Sequence, residues 1–219
     1  MPTLKNFYIL GAAGNIEGIT HLPDSAPRAI AVVAHPLPTM EGTMENKVVT
    51  TLAKTFAEIG FVALRFNFRG VGASEGVYDH GNGEVEDAIA VARYALNEYG
   101  SSEHGPSDQG PSDQGKLPLI LSGFSFGGYV QARAAQSLQS RRLVLVAPAV
   151  GRFAMPDVLP NTLVIHGDQD EVVPLDAAMR WAQPQHLPIV IIPGAGHLFH
   201  GRLIELKEIV RRHFVEKPL

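Results

Sequence analysis

The chain of 219 residues contains no cysteine. Disulfides and thiolate metal sites are therefore excluded. Charge is sparse: 22 acidic residues face 18 Lys and Arg, for a formal net charge of −4. There is no basic stripe, which argues against nucleic acid as a partner. No stretch approaches the roughly 20 apolar residues that a membrane-crossing helix needs. The start, Met1 to Asn6, lacks the long apolar core of a secretory signal, so a soluble cytoplasmic protein is the expectation. Nine histidines are present, but no His-x-x-x-His pair stands on a predicted helix. Neither a metal centre nor another cofactor is expected.

The chain does have apolar residues, 45% of the total. That is enough for the core of one α/β domain of this length. The apolar residues fall into two alternating patterns. Short β-type runs occur at Phe7–Leu10, Gly14–Ile19, Ala29–Ala34, Phe61–Phe68, Leu117–Leu121, Leu143–Ala147, Thr162–Ile165 and Leu187–Ile192. Helical spacing links Val48, Leu52, Phe56 and Ile59, then Val85, Ile89, Ala92 and Leu96. Two further helices are expected over Leu175–Ala182 and from Leu203 to about Val215. The first two runs read as an antiparallel pair. The rest predict a mostly parallel sheet with helices on both faces. Ligands in such sheets bind beyond the carboxyl ends of the strands. Loops that follow strands are therefore the candidates for function.

That rule sets one odd segment aside. Pro-Ser-Asp-Gln-Gly occurs twice in tandem, at Pro106–Gly110 and Pro111–Gly115. It precedes a strand, and its composition is that of a solvated linker.

Gly123-Phe124-Ser125-Phe126-Gly127-Gly128 is the most informative segment. A strand precedes it and a helical run, Tyr129 to Ala135, follows. Strand, sharp turn with a serine at the tip, and helix is the context of a nucleophile elbow. Glycines around the tip leave room for strand and helix to approach. The Phe126 amide would open a helix and point at the same space as the Ser125 hydroxyl, ready to donate to an oxyanion. Serine needs a base, and the base an orienting acid. Two later strand ends offer them: His166-Gly167-Asp168-Gln169-Asp170-Glu171-Val172-Val173-Pro174, then Pro193-Gly194-Ala195-Gly196-His197. Their chain order, acid before histidine, is the one such hydrolases use. A second oxyanion donor should come from the loop after Ala29–Ala34. Pro36 and Pro38 have no N–H, so Leu37 is the candidate.

With these segments in view, the chain resembles the α/β-hydrolase superfamily, in particular its small lidless bacterial members near the dienelactone hydrolases. The resemblance spans almost the whole chain. It rests on His35-Pro36-Leu37-Pro38, on Arg65 to Ser74, on the elbow, on His166 to Pro174, and on Gly196-His197. It implies an α/β-hydrolase fold without a cap domain, and a serine hydrolase acting on a small ester or thioester. Ser125 is then the nucleophile, Asp170 the acid and His197 the base. Asp168 is the rival acid and is expected to brace its loop instead. His200 is the rival base, expected at the surface. His35 is expected to brace its loop by hydrogen bonds. An Asn67 where relatives carry Asp is a mild departure, and Arg69 is expected to bind backbone carbonyls. Only Pro148–Asn161 separates the two strands where relatives insert a lid. The site should be open, lined in part by His35, Phe153 and Met155. The competing expectations are a silent scaffold on the same fold and a serine peptidase or amidase.

Overall fold

The computed structural model describes residues 2–101, 116–216 and 219. The tandem Pro-Ser-Asp-Gln-Gly segment lies outside the described residues. Among the described residues, eight strands form one sheet: β1 (Thr3–Gly11), β2 (Gly14–Leu22), β3 (Ala29–Ala34), β4 (Phe61–Phe66), β5 (Leu119–Phe124), β6 (Arg142–Val146), β7 (Leu163–Gly167) and β8 (Ile189–Ile192). Their order across the sheet is β1-β2-β4-β3-β5-β6-β7-β8. β1 and β2 pair as an antiparallel hairpin, and β2 runs antiparallel to β4. Every pair from β4 to β8 is parallel.

The parallel strands are mostly apolar because both faces are covered. Along β3, Ile30, Val32 and Ala34 enter one core, and Ala29, Ala31 and Val33 the other. The first core is closed by α2 (Asn82–Tyr99) and α3 (Phe126–Ala134). The second is closed by α1 (Lys47–Glu58) and α5 (Leu203–Glu216). A short α4 (Leu175–Ala182) follows β7. Helix α1 shows how sequence sets an element here. Asn46 caps it by accepting from the Val48 N–H at 2.9 Å, and Val48, Leu52 and Phe56 form its buried stripe.

The expected elements are all present, with shifted ends. One shift is at β5, which continues through Ser122 and Gly123 to Phe124 instead of stopping at Leu121. Its residues stay paired, with Gly123 opposite Ala34 and Phe124 opposite Val146. The strand therefore runs directly into the turn that carries Ser125. Between β6 and β7, residues 148–161 form no helix, so no cap covers this end of the sheet. No helix among the described residues is long and apolar enough to cross a membrane.

Candidate active site

Ser125 sits between β5 and α3 with φ 54° and ψ −116°, a region that non-glycine residues rarely occupy. Four backbone bonds hold it there. Its N–H donates to Val146 O at 2.9 Å, while its carbonyl accepts from Gly128 at 2.9 Å, from Ala149 at 3.1 Å and from Tyr129 at 3.3 Å. Two glycines make the turn possible. A Cβ on Gly123 would lie 2.2 Å from the Gly127 carbonyl oxygen, and one on Gly127 would lie 2.3 Å from that of Ala34. Both contacts are with backbone, which cannot swing aside.

The later strand ends deliver the other two side chains. The His197 ring lies between Ser125 and Asp170. Its Nε2 is 3.0 Å from Ser125 Oγ, and its Nδ1 is 2.8 Å from Asp170 Oδ2. The carboxylate can only accept, so Nδ1 carries the proton and Nε2 is free to accept from the serine hydroxyl. Asp170 Oδ1 accepts from the N–H groups of Val172 at 2.9 Å and Val173 at 2.7 Å. Burial opposes the charge on Asp170. The His197 bond and these backbone donors outweigh it and hold the carboxyl below the usual carboxylate range.

The rivals fall elsewhere. Asp168 braces the neighbouring loop by accepting from Gly194 N–H at 2.6 Å. His200 is exposed.

A cleft of about 260 Å³ opens above Ser125 and His197. Leu37, Phe126 and Phe153 line it, as do Met40, Arg152 and Glu171. Among the described residues, the backbone N–H groups of Leu37 and Phe126 take part in none of the protein's hydrogen bonds. Phe153 packs against Phe126 with ring centroids 5.1 Å apart and against Tyr129 at 4.8 Å. His35 and Met155, expected in the lining, are not part of it. Met155 packs into the cores beside the cleft. His35 is wholly buried. Its Nε2 accepts from Phe68 N–H at 3.0 Å and its Nδ1 donates to Pro36 O at 2.6 Å. It ties the loop after β3 to the loop after β4, so both nitrogens face protein. Met40, Glu41 and Gly42 were missed as lining residues. They follow β3 in the same loop as Leu37, and the post-strand rule alone could have found them.

A larger hollow of about 660 Å³ lies near Leu96, Lys116 and Arg141. Among the described residues, no His, Asp or Glu lines it.

Desolvation pushes the His35 pKa down to about 4, with the Pro36 carbonyl opposing. Burial, reinforced by Arg65, pushes His21 down to about 4 as well. A histidine held neutral by the fold stabilises it above the unfolded pKa near 6.5, and the benefit is lost as pH falls toward 4. For His35 the loss is on the order of 3 kcal/mol across that window. The urea midpoint should therefore fall steadily between pH 7 and pH 4.5. A midpoint constant over that range would contradict this account.

A strained serine on a strand–helix turn, a histidine and an aspartate on later strand ends, and an open mostly parallel sheet define an α/β serine hydrolase. The sequence relationships agree. The chain belongs to the family described as X-Pro dipeptidyl-peptidase (S15 family), whose pattern matches residues 21–189. It is 36% identical to XC6422 from Xanthomonas campestris, an α/β serine hydrolase without a lid. That similarity covers 100% of this chain and 98% of the other, with a TM-score of 0.87. An α/β serine hydrolase homologue from Coxiella burnetii is 38% identical, covering 97% of each chain with a TM-score of 0.80. The protein RP471 of Rickettsia prowazekii, which has no assigned function, is 32% identical over 97% of this chain and 89% of its own length.

Proposed function

We propose that the protein hydrolyses small carboxylic esters or thioesters through an acyl-enzyme. The observation that carries this reading is the His197 ring, which bridges Ser125 Oγ at 3.0 Å and Asp170 Oδ2 at 2.8 Å. In this reading Ser125 attacks the carbonyl carbon as its proton passes to His197 Nε2. The resulting imidazolium is stabilised by the Asp170 carboxylate. The N–H groups of Leu37 and Phe126 donate to the oxyanion, and the tetrahedral intermediate collapses as His197 protonates the leaving group. Water then attacks the acyl-enzyme with His197 as base, freeing the acid and restoring Ser125. The cleft of about 260 Å³ is small for a binding pocket and favours a short acyl group. Its aromatic wall at Phe126 and Phe153 favours an apolar one. The partner proposed is a small-molecule ester, with neither nucleic acid nor membrane involved.

The family relationship supports a second reading, an amidase or peptidase, since the same groups cleave amides. A panel of p-nitrophenyl esters of increasing chain length, one acyl thioester and one X-Pro p-nitroanilide separates the two. Short esters should give the highest kcat/KM. Preference for the anilide would favour the peptidase reading, and turnover of none would sink both.

The second oxyanion donor can be tested by substitution. Leu37 has φ −56°, within proline's range, so Leu37→Pro removes the N–H without requiring a change in φ. Loss of one such donor costs about 10²–10³ in kcat. Leu37→Ala, which loses only the side chain, should keep most of the activity. If the two variants behave alike, the Leu37 amide is not a donor.

A further inference from the structure

His166 is a buried titratable residue that the proposed chemistry does not use. It stands in β7, four residues before Asp170, and its side chain is completely shielded from solvent. Its Nε2 lies 2.8 Å from the Val173 carbonyl oxygen and 3.4 Å from Asp170 Oδ2. Both neighbours are acceptors, so Nε2 must carry the proton; it donates to the Val173 carbonyl, and the Asp170 carboxylate oxygen stands beside it at ion-pair distance. Nδ1 is then the unprotonated nitrogen. It is buried and, among the described residues, has no hydrogen-bond partner. A buried acceptor left unmatched is uncommon and calls for a reason. The reason lies on the other side of the ring.

Asp170 is held on every side. Val172 and Val173 N–H groups fix Oδ1. Oδ2 faces two imidazoles, His197 at 2.8 Å and His166 at 3.4 Å. The same His166 N–H also holds the carbonyl of Val173, whose N–H is one of the Oδ1 donors. The ring therefore secures the turn that carries the carboxylate as well as the carboxylate itself.

We propose that His166 is a positioning residue, which holds the Asp170 turn and takes up part of the Oδ2 charge so that the carboxylate orients His197 without over-stabilising its protonated form. The inference rests on the reading of Ser125, His197 and Asp170 as nucleophile, base and acid. His166 can fill this role only while neutral, because a second cation at Oδ2 would compete with the His197 imidazolium. Burial favours the neutral ring, pushing its pKa down against the opposing effects of the Val173 carbonyl and Asp170. The titratable groups facing it are Asp170 and His197, from the loops after β7 and β8.

The test uses His166→Leu, His166→Gln and His166→Asn in the full chain. Glutamine can place an N–H near the Nε2 position. Asparagine is too short and places its amide near Nδ1. With p-nitrophenyl acetate, kcat should fall about tenfold in the Leu and Asn variants, a small part of what a general base contributes, and KM should hold. The Gln variant should recover most of the loss. Without the donor, Asp170 keeps more of its charge for His197. The His197 pKa, read by ¹H–¹⁵N NMR of the imidazole, should rise by about half a unit or more in Leu and Asn, and the acid limb of the rate profile should move up with it.

A His197 titration unchanged in both Leu and Asn variants overturns the proposal. So does an equal loss in all three variants, which would show a packing role. If His166→Leu does not fold, the Asn and Gln pair decides. If the wild-type protein hydrolyses no ester and takes up no fluorophosphonate, the triad reading fails. The NMR comparison still judges whether His166 bears on His197.

Discussion

Ser125→Ala is expected to lower ester hydrolysis by about 10⁶-fold, since losing the nucleophile disables base and acid together. The residual rate should still exceed that of water, because the oxyanion donors and the cleft remain. Stability should barely change. What keeps the residue in its strained conformation is backbone bonding to Val146, Gly128, Tyr129 and Ala149, and alanine keeps all of it. Alanine also tolerates φ 54° about as poorly as serine, so no new strain enters. Only the bond to His197 is lost. Labelling by a fluorophosphonate should disappear with the activity. Ester hydrolysis at the wild-type rate in a folded Ser125→Ala protein would end the serine-hydrolase mechanism proposed for this cleft. Retained labelling would point to a different nucleophile.

Asp87→Ala should cause the largest loss of stability, about 3–5 kcal/mol, by leaving a buried charge without its partner. Arg69 follows β4 and its side chain is only 9% exposed, while that of Asp87 is 1% exposed. The Asp87 carboxylate accepts from Arg69 Nη2 at 2.8 Å, from Nε at 3.1 and 3.2 Å, and from the Arg69 backbone N–H at 3.0 Å. These bonds fasten the loop after β4 to α2. Glu86 also reaches Arg69 at 3.2 Å, but it is 61% exposed and cannot replace a buried carboxylate. A loss of this size is a large share of the stability of a typical domain, and should lower Tm by about 10 °C or more. Removing both charges in Arg69→Met/Asp87→Leu should recover much of the loss, because a buried pair often does no better than apolar replacements. A drop below about 1 kcal/mol in the single variant would mean that Glu86 and water suffice.

Arg69 also shows where sequence reading reached its limit. The segment Arg69 to Ser74 is recognisable as part of a hydrolase, and backbone carbonyls were the expected partners of Arg69. The actual partner is a carboxylate 18 positions later. Periodicity places Asp87 on α2, but it cannot show which turn of that helix meets which loop. His35 makes the same point. A histidine after a buried strand suits a cleft wall or a brace equally well. Only the positions of Phe68 N–H and Pro36 O show that its ring is used up inside the protein. Phe153 and Met155 stand two residues apart in one linker. Both pack against the first core, and of the two Phe153 also lines the cleft, a distinction that an irregular segment does not encode in its pattern.

Other parts were legible because local chemistry leaves few choices. Six consecutive buried residues in β3 demand cover on both faces and so imply a parallel sheet. A serine between glycines, at a junction of strand and helix, can be accommodated in few ways. Chain order and the post-strand rule then pointed to the segments that carry Asp170 and His197, and the family resemblance singled out Asp170 over Asp168. The sequence by itself determined the fold class, the elbow and the candidate nucleophile and base, since these follow from periodicity, glycine placement and order along the chain, while the choice of Asp170 as acid came from the resemblance to the α/β hydrolases. Tertiary structure alone decided the distances that join Ser125, His197 and Asp170, the walls of the cleft, and the place of His166 beside the acid. Those depend on how far apart separate strand ends come to rest, and that distance is set by packing across the whole sheet.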